Sequence, residues 1–368
     1  MKKALIIGGG FAGCTAANIL KNKGFDITLF EGNNYLGGGC TTFFYHGHPY
    51  TYGPRHLLIN IDDTYVWDYF SQYLSLRELK HHTMTYVSDD NRFYTYPIHY
   101  DEIKEMPDKD LIYRELDNRE SADKAKDFEE YWVNSVGSIL YNKFIHLYSE
   151  KMWKIKNNKE IDDFAFSPKG VALKTGSKQC LEGQKIIAYP REYDGYNSYF
   201  DKCTQGCKVI FNTYIKHFDL NNKRVFADGQ WFKGDIIVNT TSLDLVFEYQ
   251  YGELKYIGRD FLKLILPVER ITPEPYYFIQ YAGDESYTRV VEYKLLTGYK
   301  SQDTLIIIEF PSNNNKLYPY PIKSEIKKAN NYKKLFPADT YTIGRAGTYH
   351  YDNMDMIVKD CINLFKNI

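Results

Sequence analysis

Ala4-Leu5-Ile6-Ile7 runs without a break into Gly8-Gly9-Gly10-Phe11-Ala12-Gly13, and no other segment restricts the fold as much. The four apolar residues read as a buried strand. The glycines that follow supply GxGxxG at Gly8, Gly10 and Gly13, and a helical pattern comes next with Ala16, Ala17, Ile19 and Leu20, closed by Lys23-Gly24. Asp26-Ile27-Thr28-Leu29-Phe30-Glu31 then reads as a second strand ending in an acid. This spacing predicts a βαβ dinucleotide unit. Gly8 permits the tight turn, Gly10 lets a pyrophosphate approach the backbone of Phe11 and Ala12, and Gly13 lets helix and strand pack closely. Glu31 is placed to accept a hydrogen bond from a ribose hydroxyl.

Both FAD and nicotinamide enzymes use this unit, and two further segments favour FAD. A second glycine-rich turn, Gly37-Gly38-Gly39, follows Glu31 closely and can bring more backbone amides to a flavin cofactor. Near the other end, Thr340 to Arg345 reads as a strand, and Asn353-Met354-Asp355 opens a last helix with an apolar face of Met356, Ile357, Cys361, Ile362 and Phe365. A helix N-terminus directed at the carbonyl edge of a flavin favours the negative charge of its reduced form. The two ends of the chain would together make one cofactor domain, with the remainder inserted.

Composition removes other classes. Lys plus Arg number 46 against 47 Asp plus Glu, a net charge of -1 that gives no electrostatic basis for a nucleic-acid partner. No apolar run approaches the length that spans a bilayer, so no membrane insertion is expected. Six scattered cysteines with no repeated CxxC or His-x-x-x-His partner predict no metal site and a reduced, cytoplasmic setting. Aromatic residues reach 17%, with Tyr 35, Phe 22 and Trp 4, an excess open to core filling or to stacking on flat ligands.

Separated segments along the whole chain resemble the UDP-galactopyranose mutase family. They include Tyr52-Gly53-Pro54, Phe93-Tyr94 with Tyr96-Pro97-Ile98, Phe128-Glu129-Glu130, Lys151-Met152-Trp153, Tyr287-Thr288-Arg289, Tyr320-Pro321 and Gly344-Arg345 through Tyr351 and Asp355. The resemblance implies an α/β fold: a Rossmann-like FAD-binding domain with an inserted helical domain and an antiparallel sheet domain. The expected boundaries are 1–80 with 190–242 and 336–368 for the FAD domain, 100–153 for the helical insertion, and 81–99 with 154–189 and 243–335 for the substrate domain.

The implied activity is that of an isomerase converting a UDP-hexopyranose, UDP-galactose or UDP-N-acetylgalactosamine, to its furanose form. Reduced FAD would attack the anomeric carbon through its N5, forming a covalent adduct and expelling UDP, so no Ser-His-Asp set is required. Arg289 would hold the diphosphate, Arg345 would lie near the flavin, and Tyr320 and Tyr351 would donate to phosphates and sugar. Trp153 would line the cleft on a mobile loop, with Tyr141 or Tyr148 under the uracil. Gly8, Gly10, Phe11, Ala12, Gly13, Glu31, Gly38, Gly39, Arg345, Asn353, Met354 and Asp355 would hold the cofactor. A homodimer serving surface-polysaccharide synthesis is also implied.

The chain departs from the family at three places. Arg55 replaces the histidine of Gly-Pro-His, where it either reads the C2 substituent of the sugar or compensates for an arginine missing elsewhere. The usual arginine after Lys-x-Trp has no counterpart in Ser167 to Lys174, where Lys174 is nearest by spacing. The family's Tyr-Arg becomes Tyr256-Ile257, with Arg259 two residues on. Two competing readings share the cofactor architecture: a flavin amine oxidase, and a cofactor-free binding protein like the GDP-dissociation inhibitors.

Overall fold

The apolar run at the N-terminus becomes the strand Lys3–Ile7, which is buried from Ala4 onward. In the computed structural model, which describes residues 1–162 and 171–368, this strand is the middle of a five-stranded sheet. The order is Lys208–Ile210, Asp26–Phe30, Lys3–Ile7, Ile236–Asn239, Thr340–Thr342, and every pair is parallel. A parallel sheet is covered on both faces, which explains why its strands read as continuous apolar runs rather than alternating ones. The helix Phe11–Asn22 crosses from the first strand to the second, and the C-terminal helix Met354–Leu364 packs beside it. Gly8, Thr240 and Gly344 thus all stand just past the carboxyl ends of strands, the edge at which open α/β sheets bind ligands.

A second sheet has seven strands in the order Tyr318–Pro319, Tyr256–Leu266, Thr304–Ser312, Arg289–Glu292, Tyr276–Tyr281, His82–Val87, Arg92–Tyr96. Its pairs are antiparallel except at Tyr276–Tyr281 against His82–Val87, which run parallel. The chain enters this sheet twice, once before and once after the helical segment, and the parallel junction joins the two passes. Strand alternation sends Phe278, Gln280, Arg289 and Glu309 to one face, since Gln280 pairs with Arg289 and Arg289 with Glu309.

The helical insertion expected over 100–153 is divided into Lys109–Asn118, Phe128–Val136 and Ser138–Tyr141, then a π-helical turn Asn142–His146 and the helix Leu147–Trp153. Asp127 caps the second of these, its carboxylate accepting from the Glu130 amide at 3.0 Å. Phe128, Trp132, Leu140 and Phe144 form a core distinct from that of the parallel sheet. The strand expected over Thr340 to Arg345 ends at Thr342, and Gly344–Thr348 is a short helix. Here Gly344 lies against Ala12, so the strand cannot continue past the glycine loop. Among the described residues, no helix is long and apolar enough to cross a membrane.

Candidate active site

The glycine loop is built by close approach. A Cβ on Gly13 would stand 1.9 Å from the Gly8 carbonyl oxygen, so helix and strand meet only because Gly13 lacks a side chain. Gly8 itself has φ +98, a conformation glycine adopts without strain. Gly10 is different: a Cβ there would meet nothing within 4 Å. It borders a cavity of about 700 Å³ that runs between the two sheets and the helical segment. Gly10 is also the N-cap of Phe11–Asn22 and carries no side chain to satisfy the first amides of the helix. The second glycine turn is joined to the first by the Gly37 amide donating to Gly9 O at 2.8 Å. Gly39 lines the cavity, whereas Gly38 sits behind it.

Two more elements complete this end. Asn353 caps Met354–Leu364 without a side-chain hydrogen bond, and Asn353 and Met354 line the cavity. Asp355 lies behind them, buried, with Oδ1 unpartnered and Oδ2 3.7 Å from the Lys185 ammonium; burial pushes its carboxyl above the ordinary range. Glu31 does not line the cavity. One of its oxygens accepts from the Gly9 amide at 2.6 Å, the other from the Asn33 amide and side chain at 2.7 Å, so it ties the second strand to the glycine loop. A dinucleotide pyrophosphate fits this end, because two uncapped helix N-termini open onto space that a Cβ at Gly10 would fill.

The opposite end is made of side chains. Arg289 donates from Nε (2.9 Å) and Nη2 (2.6 Å) to one oxygen of Glu309, which is fully buried, while the other carboxylate oxygen has no partner. Arg55 donates from Nε to Gly39 O at 3.2 Å, which joins this cluster to the second glycine turn. Arg345 donates from Nε to Asp352 O at 2.7 Å and lies 4.4 Å from the Tyr351 ring centroid. Tyr351 stacks on Tyr318 with centroids 5.4 Å apart and planes 10° apart, and Trp153 meets Tyr318 edge-on at 6.4 Å. Arg55, Arg289, Arg345, Trp153, Tyr351 and Tyr148 all border the cavity, as Gly10, Phe11 and Ala12 do.

Besides Glu31, Gly38 and Asp355, three further residues singled out from the sequence lie off the cavity wall. Tyr141 is buried in the helical core, where its hydroxyl accepts from Asn158 Nδ2 at 2.8 Å. Of the two aromatics weighed for the uracil, Tyr148 is the one at the cavity. Lys174 pairs with His99 in a short two-stranded ribbon away from the cavity, and Lys169 lies outside the described residues. Tyr320 donates its hydroxyl to Lys154 O at 3.0 Å and is not part of the cavity wall. The tyrosine that does line the cavity is Tyr318, for which the sequence carries no motif signal.

Arg259 was noticed only as a displaced arginine. It is 2% exposed, 5.0 Å from the Tyr318 centroid, with Nε unpartnered and Nη1 donating to Gly258 O at 2.6 Å. A strand period of two would have located it, because Ile257 and Arg259 share a face of Tyr256–Leu266. Tyr318 ends up surrounded by Arg55, Arg259, Arg289 and Arg345. Burial alone would push its phenol up, but these guanidiniums outweigh burial and bring its pKa down to about 7.

A parallel sheet with a glycine loop at its carboxyl edge, joined to an arginine-lined cleft, defines an α/β enzyme of the Rossmann-like dinucleotide-binding class. Residues 6–73 match the model of an NAD(P)-binding Rossmann-like domain. Residues 143–351, more than half of the chain, match the model of UDP-galactopyranose mutase, and the chain belongs to that family of isomerases. It is 24% identical to the dTDP-fucopyranose mutase of Escherichia coli over 98% of this chain and 97% of that one. A probable UDP-galactopyranose mutase of Klebsiella pneumoniae is 22% identical over 98% and 93%. A crystal structure of reduced UDP-galactopyranose mutase superposes with a TM-score of 0.80 at 16% identity, covering all of this chain and 96% of that one.

Proposed function

We propose that the protein interconverts the pyranose and furanose forms of a nucleoside-diphosphate sugar, with UDP-galactose or UDP-N-acetylgalactosamine as substrate and reduced FAD as cofactor. The observation that carries this reading is the continuity of one cavity from the Gly10 helix terminus to Arg289. Amides of Phe11 and Ala12, with those of Met354 and Asp355, would hold the cofactor. When bound in its reduced state, the flavin supplies the nucleophile for the anomeric carbon. Arg289, Arg55 and Arg345 would bind the sugar diphosphate and neutralise the charge that develops on it as its bond to the sugar breaks. Tyr318, Tyr351 and Trp153 wall that charge off from water, which strengthens each of these interactions. The same cluster disfavours a cationic amine, so the amine oxidase reading loses support on electrostatic grounds.

The family's named members act on different sugar nucleotides, so the test offers three. Dithionite-reduced protein is incubated without oxygen with UDP-galactose, UDP-N-acetylgalactosamine or dTDP-fucose, and the ring forms are separated by chromatography. Furanose product from at least one is expected, and its absence from all three would sink the assignment. The homodimer implied by the resemblance is checked on the same preparation by sedimentation. Comparing wild type with Arg55→His on each sugar then asks whether Arg55 reads the C2 group; unchanged selectivity would exclude that role.

A further inference from the structure

The guanidinium cluster has more positive charge than its protein partners balance. Arg289 has Glu309, but Arg55 and Arg345 donate only to backbone carbonyls, and Arg259 donates only to Gly258 O with its Nε unpartnered. All of them surround one phenol. Arg55 approaches from the segment after Gly53-Pro54, with its guanidinium carbon 5.9 Å from the Tyr318 ring centroid. Arg259 lies at 5.0 Å on the neighbouring strand, and Arg345 at 5.1 Å from the C-terminal segment, which also contributes the stacked Tyr351. Arg289 and Glu309 face it from the middle of the sheet: a Cβ on Gly53 would be 3.5 Å from Arg289 Nη2, 3.6 Å from Glu309 Oε1 and 3.9 Å from the Tyr318 hydroxyl. The phenol itself is 3% exposed.

Resting on the sugar-nucleotide reading above, we propose that Tyr318, as its phenolate, is the resident counter-ion of this cluster, and that it takes up a proton and becomes a hydrogen-bond donor when a diphosphate enters. An unbalanced buried cation is costly, and the phenol is a titratable group that all four guanidiniums approach. A diphosphate brings about two negative charges to the same guanidiniums. It then repels the phenolate, which accepts a proton from a buffer acid; the resulting O–H can donate to a phosphate oxygen, which the phenolate could not. One O–H bond forms on Tyr318 and one breaks on the buffer acid. With a pKa near 7 in the ligand-free protein, about half a proton per site is taken up at pH 7 and nearly a whole one at pH 8.

The probe is UDP, titrated into the oxidised FAD holoenzyme by calorimetry at pH 7 and pH 8 in buffers of different ionisation enthalpy. Proton uptake larger at pH 8 than at pH 7 is expected, together with its loss in Tyr318→Phe. Binding of UDP without uptake, or uptake that persists in Tyr318→Phe, overturns the proposal and leaves the mutase reading standing. Failure of UDP to bind overturns both. A second measurement does not depend on that variant's ligand affinity: the ultraviolet tyrosinate signal of the ligand-free holoenzyme, followed against pH. It should titrate near neutrality and move to higher pH in Arg259→Gln, which removes one charge from outside the cavity wall. A signal confined to strongly alkaline pH, or one that Arg259→Gln does not move, overturns the proposal.

Discussion

The two ends of the cavity present their hydrogen-bond donors by different means. At the glycine end the donors are backbone amides at two helix N-termini, and side chains are conspicuous by their absence from Gly8, Gly10 and Gly13. At the arginine end the donors are long cationic side chains, each fixed by a hydrogen-bond partner: Glu309 for Arg289, Gly39 O for Arg55, Asp352 O for Arg345. Backbone donors are set by the local path of the chain and carry partial charge. Guanidiniums carry full charge and have to be held against one another's repulsion. A cofactor retained through many turnovers suits the first design, and a diphosphate that leaves and returns in each turnover suits the second, because its stabilisation has to grow as the bond breaks.

The sharpest way to break this comparison is to remove Arg289. Arg289→Ala leaves the Glu309 carboxylate buried without a counter-charge, which costs about 3–5 kcal/mol of stability, and turnover should fall by about two to three orders of magnitude. Chemical denaturation and sugar-nucleotide turnover measure the two effects. Arg289→Lys should recover part of the stability and little of the turnover, since an ammonium cannot offer two parallel N–H groups. Full recovery of turnover would show that charge alone is needed at this end.

The glycine end separates space for packing from space for ligand. Gly13→Ala drives a methyl group into the Gly8 carbonyl, with backbone on both sides, and should cost about 3 kcal/mol even without cofactor. Gly10→Ala meets no protein atom and should leave the cofactor-free protein within about 0.5 kcal/mol of wild type. FAD affinity should nevertheless fall by about tenfold, a difference of about 1.4 kcal/mol, read by flavin fluorescence titration. An FAD affinity unchanged by Gly10→Ala would mean that the open space at Gly10 is not where the pyrophosphate lies.

How far each end was legible in the sequence follows from the same contrast. Strand, glycines, helix, second strand and acid occur in chain order within some thirty residues, so local spacing was enough to place the cofactor loop. The same spacing singles out Glu31 for a ribose hydroxyl, but its carboxylate accepts from the Gly9 and Asn33 amides instead, a tertiary detail that spacing does not carry. The arginine end gathers residues 55, 259, 289 and 345 from four parts of the chain, and only resemblance singled out three of them. Lys174 was the nearest by count to a missing arginine, yet counting along a chain says nothing about a ribbon that turns away from the cavity. The parallel junction between Tyr276–Tyr281 and His82–Val87 was hidden for a similar reason, since two strands separated by the whole helical segment and two strands of the parallel sheet leave no local signal of their pairing.

The smallest predicted effect on turnover tests a tyrosine that the sequence misplaced. In Tyr318-Pro319-Tyr320-Pro321 a strict period of two would put both phenols on one face, but pairing with Tyr256–Ile257 covers only Tyr318 and Pro319. Beyond it the chain turns, and Tyr320 donates to Lys154 O, joining the Pro321 segment to the end of the helix Leu147–Trp153. Tyr320→Phe removes that one partly exposed hydrogen bond and should cost about 0.5–1 kcal/mol, with kcat altered less than threefold, whereas Tyr318→Phe should lower kcat/KM by about two orders of magnitude. Because both substitutions delete the same hydroxyl from neighbouring positions, equal losses of turnover would mean that the helix tether, and not the guanidinium cluster, is what the reaction needs from this segment.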